Sequence, residues 1–341
     1  MMHEDARQAR RGFLAQGLTV GTALATGLAV ARGAAAQEVS RSGKPGARDI
    51  AVLKFLAAAE LVEADLWRQY QELARNNRNF RAALLDIDDG LADYAIDTQD
   101  DEESHARFIN AYLRSIGEAP VDLDPFRTLV PPAVTGLRPV GRLTNLTALT
   151  IDTSYYTRYR SPLNPDLGGS FPQIARIVGQ PAIPLTNALN ARRLSGIAQT
   201  AAFHFAAIEQ GGTSLYDQFT PIVSHPEVRQ IVSSIYATEA IHYATFRQSL
   251  EGIRGFASED GRLVIPNLTE GRHESRRVMP RPCAFLRADL PDCSVIRPSS
   301  PAKAGARAAA GGLVASGLFK GQPPAFLAAV VALATAADGA A

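Results

Sequence analysis

Six residues of this chain are of a kind, and at a spacing, that suits them to hold metal ions: Glu60, Glu102, His105, Glu209, Glu239 and His242. Glu102-Glu103-Ser104-His105 and Glu239-Ala240-Ile241-His242 each form a Glu-x-x-His. On a helix, positions i and i+3 share a face, so the carboxylate and the imidazole of one motif can reach one ion. Carboxylate and imidazole together suit iron or manganese. With six His in the chain, a single pairing of this kind carries little weight. Both motifs, however, sit on apolar seams. Ala95, Thr98, Glu102, His105, Ile109, Tyr112 and Ile116 step by three and four, and so do Val228, Val232, Ile235, Glu239, His242, Phe246 and Ser249. That spacing is the inward stripe of a bundled helix, so the metal-binding residue types point into a core.

Two more segments carry a single carboxylate on the same kind of stripe. Leu53, Leu56, Glu60, Glu63, Trp67 and Tyr70 are matched step for step by Ala202, Phe205, Glu209, Gly212, Tyr216 and Phe219. This internal repeat pairs Glu60 with Glu209 and sets Glu63, a second-choice substitute for Glu60, opposite a glycine. Each unpaired buried carboxylate costs several kcal/mol, and four would consume a typical total stability of about 5–15 kcal/mol. The seams offer no Lys or Arg to offset them. A pair of metal ions does so directly; the alternative is a metal-free bundle with solvated or protonated carboxylates.

The order Glu, Glu-x-x-His, Glu, Glu-x-x-His resembles the ferritin-like dimetal-carboxylate superfamily, over residues 49–116 and 195–253. The resemblance implies an all-α, ferritin-like four-helix bundle with one long crossover between its second and third helices. It further implies a dinuclear iron or manganese centre, with Glu60 and His105 on one ion, Glu209 and His242 on the other, and Glu102 and Glu239 bridging. The chemistry would be oxygen or peroxide reduction coupled to oxidation of metal or substrate, in stress protection. A non-enzymatic stress protein that uses the bundle as a scaffold is the alternative, and iron storage in a shell a less favoured third.

The elements that must position these residues are legible in outline. The first helix spans about Asp49, read as its N-cap, to Arg75, and Asn76-Asn77-Arg78-Asn79 breaks it. The stretch from Glu60 to Glu102 is longer than that from Glu209 to Glu239, so Asp88-Asp89-Gly90 marks a kink or a short extra helix. The second helix runs from about Leu91 to Ile116, with Gly117 as its stop. Residues 118–190 lack a helical period and form the crossover insertion, part of it a lid, with a short strand at Thr147–Asp152. The third helix spans about Arg192–Phe219 and the fourth about Pro226–Ile253, Pro226 suiting a first turn. Gly211-Gly212 suggests either room for an oxidant or close helix packing, and His204 reads as a hydrogen-bonded structural residue.

The bundle therefore occupies residues 49–255, with an irregular extension at 256–341. In that extension Arg262–Ile265 reads as an edge strand, Cys283 and Cys293 as a pair able to form a disulfide, and the Ala- and Gly-rich tail as flexible or weakly helical and outside the core. At the other end, Arg10-Arg11-Gly12-Phe13-Leu14 resembles a twin-arginine export motif, followed by an apolar run and Ala34-Ala35-Ala36. Residues 1–36 then form a signal peptide and 37–48 a linker, which implies a periplasmic or other extracytoplasmic location. The resulting chain resembles bacterial ferritin-like proteins grouped with desiccation-related proteins.

A net charge of +1 gives no electrostatic case for nucleic acid or an anionic surface, despite interleaved Tyr155, Tyr156, Arg158, Tyr159 and Arg160. No apolar run reaches the roughly 20 residues of a membrane span. The expected partner is a small oxidant, oxygen or peroxide; the sequence leaves a homo-oligomer open. The acidic stretch from Asp86 to Glu103 reads as a solvated helix face, because only Glu102 lies on the core stripe.

Overall fold

A computed structural model describes residues 43–158, 172–269, 289, 291 and 305–339. The export motif, the linker up to residue 42, Tyr159, Arg160 and both cysteines lie outside the described residues. The chain divides into two compact units, one of Met1–Lys44 with His225–Glu227 and a far larger one of Pro45–Ser224 with Val228–Ala341.

Four long helices dominate the larger unit: α1 (Ala47–Asn76), α3 (Leu91–Ser115), α5 (Ala191–Phe219) and α6 (Pro226–Ser249). A short helix α2 (Arg78–Leu85) fills the longer first hairpin, started by Asn77, whose side chain accepts from the Phe80 amide. Gly46, not Asp49, caps α1; Asp49 lies in the first turn and accepts from the Ser224 amide and hydroxyl at 2.8 and 3.0 Å. Its carboxylate thus ties the start of α1 to the turn after α5. Helix α3 stops at Gly117, whose φ of +78° suits a residue without a β-carbon.

The apolar stripes meet as the three-and-four spacing requires. Trp67 stacks on Phe246 at 5.0 Å and lies 4.9 Å from Phe205, which meets Tyr70 edge-on at 4.6 Å. Phe55 and Phe219 meet edge-on at 6.0 Å farther along α1.

Helix α1 has a second, polar face that is also buried. Asp65, Gln69 and Glu72 recur at helical spacing and are all nearly inaccessible. They dock the crossover: Asp65 accepts from the Leu143 and Thr144 amides, the Thr144 hydroxyl and Arg127, while Gln69 donates to Thr144 and Glu72 accepts from the Arg138 amide and Arg142. The described residues of 118–190 are therefore packed chain with little regular structure, among them a 3₁₀ turn at Asp124–Phe126 and a short helix, α4 (Tyr155–Arg158). No strand forms at Thr147–Asp152, where only an isolated bridge joins Leu149 to Gln180. Instead β1 (Arg176–Ile177), β2 (Phe256–Ala257) and β3 (Leu263–Ile265) make a small antiparallel sheet in the order β1-β3-β2. The strand expected at the edge is its centre, pairing Val264 with Arg176 on one side and Ala257 on the other.

The tail corrects the sequence reading most. It is helical, as one of the two readings had it, but neither irregular nor outside the core: it forms α7 (Ala306–Ser316) and α8 (Pro324–Gly339), and α8 packs on α1. Its connection is stitched to the crossover by Asn145 N–H to Leu318 O (2.7 Å), Thr150 N–H to Ser316 O (2.8 Å) and Gln322 to Leu143 O (2.6 Å). Phe326, fully buried, meets Phe126 and Phe319 edge-on. Ala306, Ala310, Ala334 and Ala337 are the small residues of the tail that are buried. Among the described residues, no helix is long and apolar enough to cross a membrane.

Candidate metal centre

The site forms where one residue from α1, one from α5 and a Glu-x-x-His from each of α3 and α6 face one another at the same level. The layer beside it is set by helical spacing. Trp67, Phe205 and Phe246 stand one turn from Glu63, Glu209 and His242 respectively, and close one side with stacked rings. On the other side the next turns supply Leu56, Ile109, Ile235 and Tyr216, all buried. The six side chains singled out by spacing are thus enclosed between apolar layers.

All six are brought together. His105 Nδ1 lies 3.3 Å from Glu60, 3.2 Å from Glu102 and 3.6 Å from Glu239. His242 Nδ1 lies 3.1 Å from Glu209 and 3.2 Å from Glu102. Their ligand atoms fall into two overlapping groups, Glu60, Glu102, His105 and Glu239, and Glu102, Glu209, Glu239 and His242, with the atoms of each group within 4.8 Å of one another. Glu102 and Glu239 belong to both. Glu102 spans the pair directly, with Oε2 toward His105 and Oε1 toward His242.

Burial of the four carboxylates is complete, at 1% exposure for Glu60 and none for Glu102, Glu209 and Glu239. Five of their oxygens have no hydrogen-bond partner other than the two imidazoles: Glu60 Oε2, Glu102 Oε1, Glu209 Oε1 and both of Glu239. Among the described residues, no Lys or Arg pairs with any of them. Unpaired buried carboxylate oxygens are costly, and cations relieve that cost at once by supplying what every one of them lacks. The donor set, hard oxygens with two imidazoles, fits iron or manganese.

Without cations, protons do part of that work. Burial raises Glu60 to about 7, with Glu102 adding to the effect and His105 opposing it. Burial and the surrounding charges of Glu102 and Glu209 push Glu239 well above the carboxylate range. At His105 burial works against the charged ring, but hydrogen bonds to Glu102 and Glu60 prevail and raise it to about 10. His242 rises likewise: burial opposes it, and Glu209, Asp101 and Glu102 outweigh burial.

Glu63 falls in neither ligand group, although burial, and after it the charges of Glu102, Glu60 and Glu209, hold its carboxyl well above the usual range. Its repeat partner Gly212 has a definite task, since a β-carbon there would overlap the Glu239 carboxylate. That oxygen occupies the space, while Gly211 faces nothing. His204 is structural as expected, bonded to the Tyr70 hydroxyl at 2.8 Å and pushed down to about 3 by burial.

Two contributors escaped the sequence reading. The Tyr216 hydroxyl donates to Glu60; it stood on the stripe but was counted only as core. Asp101 Oδ2 lies 3.0 Å from His242 Nε2. Its signal was its place directly before Glu102, which turns it from the core toward the neighbouring helix.

A family model described as ferritin-like domain matches residues 48–252. No curated protein matches the chain, and no solved structure does.

Proposed function

Since the chain belongs to the ferritin-like domain family, we propose that it is an exported protein that holds two iron or manganese ions and uses them in oxygen, peroxide or metal redox chemistry linked to stress protection. The observation that carries this reading is the pair of overlapping ligand groups that share Glu102 and Glu239. Each group offers three carboxylates and one imidazole, and the two shared carboxylates keep the positions adjacent. Ions held by these residues would supply one-electron steps and polarisation of a small oxidant.

The chain's own residues do the rest. Glu60 and Glu209 are the end carboxylates of the two positions, and the Tyr216 hydroxyl holds Glu60 in orientation. Trp67, Phe205 and Phe246 keep water from one side. Export is supported by Arg10-Arg11 and the apolar run after it. That route carries folded proteins, which suits a protein loaded with metal before it leaves.

The test is elemental analysis of protein purified from its native compartment, beside a Glu239→Ala and His242→Ala double variant. We expect about two ions per chain in the native protein and a near-complete loss in the variant. Unchanged metal in the variant would remove the assignment. Oxygen and peroxide consumption by the loaded protein then separates redox chemistry from a structural role, in which chelation lowers the melting temperature but no oxidant is consumed.

A further inference from the structure

Away from the centre, α1 and α3 border a groove of about 400 Å³. Two ion pairs set how the helices meet there: Arg68 lies 3.0 Å from Glu103, and Lys54 lies 3.0 Å from Glu118, just past the end of α3. The helices therefore run antiparallel, which brings Ala64 level with Ala106 on the floor. Two such small side chains leave the groove its depth. Its walls are basic, with Arg68, Arg107, Arg114 and Arg127 against one lining carboxylate, Glu103. Arg127 is held by Nε on Asp124 at 2.8 Å and Nη1 on Asp65 at 2.6 Å, and Arg68 by Nη2 on Glu103. A guanidinium carries five N–H donors, so both are fixed in place with donors to spare. The Arg107 side chain is 72% exposed and approaches Glu103 only at 3.7 Å. Arg114 pairs with no carboxylate among the described residues. Even with Asp65 and Asp124 counted, the arginines outnumber the carboxylates.

The charges are unevenly spread. Through their partners Glu103 and Asp65, Arg68 and Arg127 stand near the level of Arg107, whereas Arg114 stands seven residues farther along α3, about 10 Å away. A small anion can engage only the first group, and reaching Arg114 as well takes a longer one. We propose that this groove binds a linear phosphate polyanion, with Arg68, Arg107 and Arg127 on one end of the bound stretch and Arg114 on the other. Guanidinium forks match phosphate oxygens in pairs. A narrow groove with small apolar side chains on its floor suits an unbranched chain that carries charge along its whole length. The site is separate from the metal centre, since none of these side chains belongs to either ligand group.

Titration calorimetry of the full chain, freed of metal so that the probe has no cation to chelate, tests this with pyrophosphate and with a long linear polyphosphate. Polyphosphate should bind the more tightly. Arg107→Gln should weaken both probes by about 10–100-fold, the worth of one charge-assisted hydrogen bond. Arg114→Gln should weaken polyphosphate by a similar factor and leave pyrophosphate unchanged. Arg78→Gln with Arg193→Gln removes two exposed arginines elsewhere and should alter neither. Without the probe, all variants should melt with the native protein and keep its metal, so that failure here leaves the dimetal reading intact. If native protein binds no polyphosphate, or the control pair weakens it as much as Arg107→Gln with Arg114→Gln, the groove is no such site. Tighter binding of a single-stranded oligonucleotide, or of phosphatidylglycerol vesicles, than of polyphosphate would also overturn the proposal.

Discussion

Gly212 shows how tightly the centre constrains a single position. Glycine inside a helix costs about 1 kcal/mol relative to alanine, yet here the missing β-carbon is the room that Glu239 uses. Gly212→Ala should therefore separate two properties. The helix gains propensity, while the carboxylate is displaced and metal retention drops steeply. Gly211→Ala, with open space around it, should add about 1 kcal/mol of stability and keep the metal. Denaturation of the metal-free proteins and metal analysis after dialysis check both. The six ligand-type residues were legible in sequence because each falls on a stripe of period three and four. The purpose of Gly212 was not, because a repeat shows what faces what along one helix but not which neighbour fills the gap. Asp101 was missed for a related reason: one step off the stripe reads as solvent, whereas in a bundle it is also the gap where an adjacent helix reaches in.

Among the elements, α1 does two jobs with two faces. Its inward stripe gives Glu60 to the centre, and Asp65, Gln69 and Glu72 hold the crossover on the other side. Helix bounds were legible to within a few residues because apolar period, breaker residues and Gly117 all agreed. The crossover was not, because its backbone is satisfied mostly by side chains and neighbouring loops, which leave no periodic trace. The tail was misread because α8 is apolar on most of its surface, so it shows no stripe to mark which face is buried. Phe326 reports on that docking. Phe326→Ala should destabilise the protein by about 3–5 kcal/mol, measured by denaturant unfolding, with α8 loosened from α1 while the metal ligands themselves stay intact.

Over the molecule as a whole, protons and metal compete for the same buried charge. Glu60 in the folded metal-free chain titrates at about 7, against an ordinary 4.5, and His105 at about 10 against 6.5. Both are raised, so the folded state binds more protons than the unfolded one between those values, and stability falls as pH rises through them. His204 is depressed to about 3, so its contribution is lost only below 6.5 and adds no slope above it. From pH 6.5 to 10 the signs agree. The metal-free protein should lose melting temperature across that range in calorimetry with a chelator present, and the loaded protein should not. Metal uptake at pH 7 should release protons, seen as a heat of binding that varies with the ionisation enthalpy of the buffer.

The docking of α8 on α1 also fixes an order in time. During synthesis the chain leaves the ribosome from its beginning, at about 5–20 residues per second. The interval from the end of α6 at Ser249 to the end of α8 at Gly339 then lasts on the order of ten seconds. Throughout it the helix that supplies Glu60 has its flank uncovered, so a nascent chain halted in that interval would present bare apolar surface to chaperones and proteases.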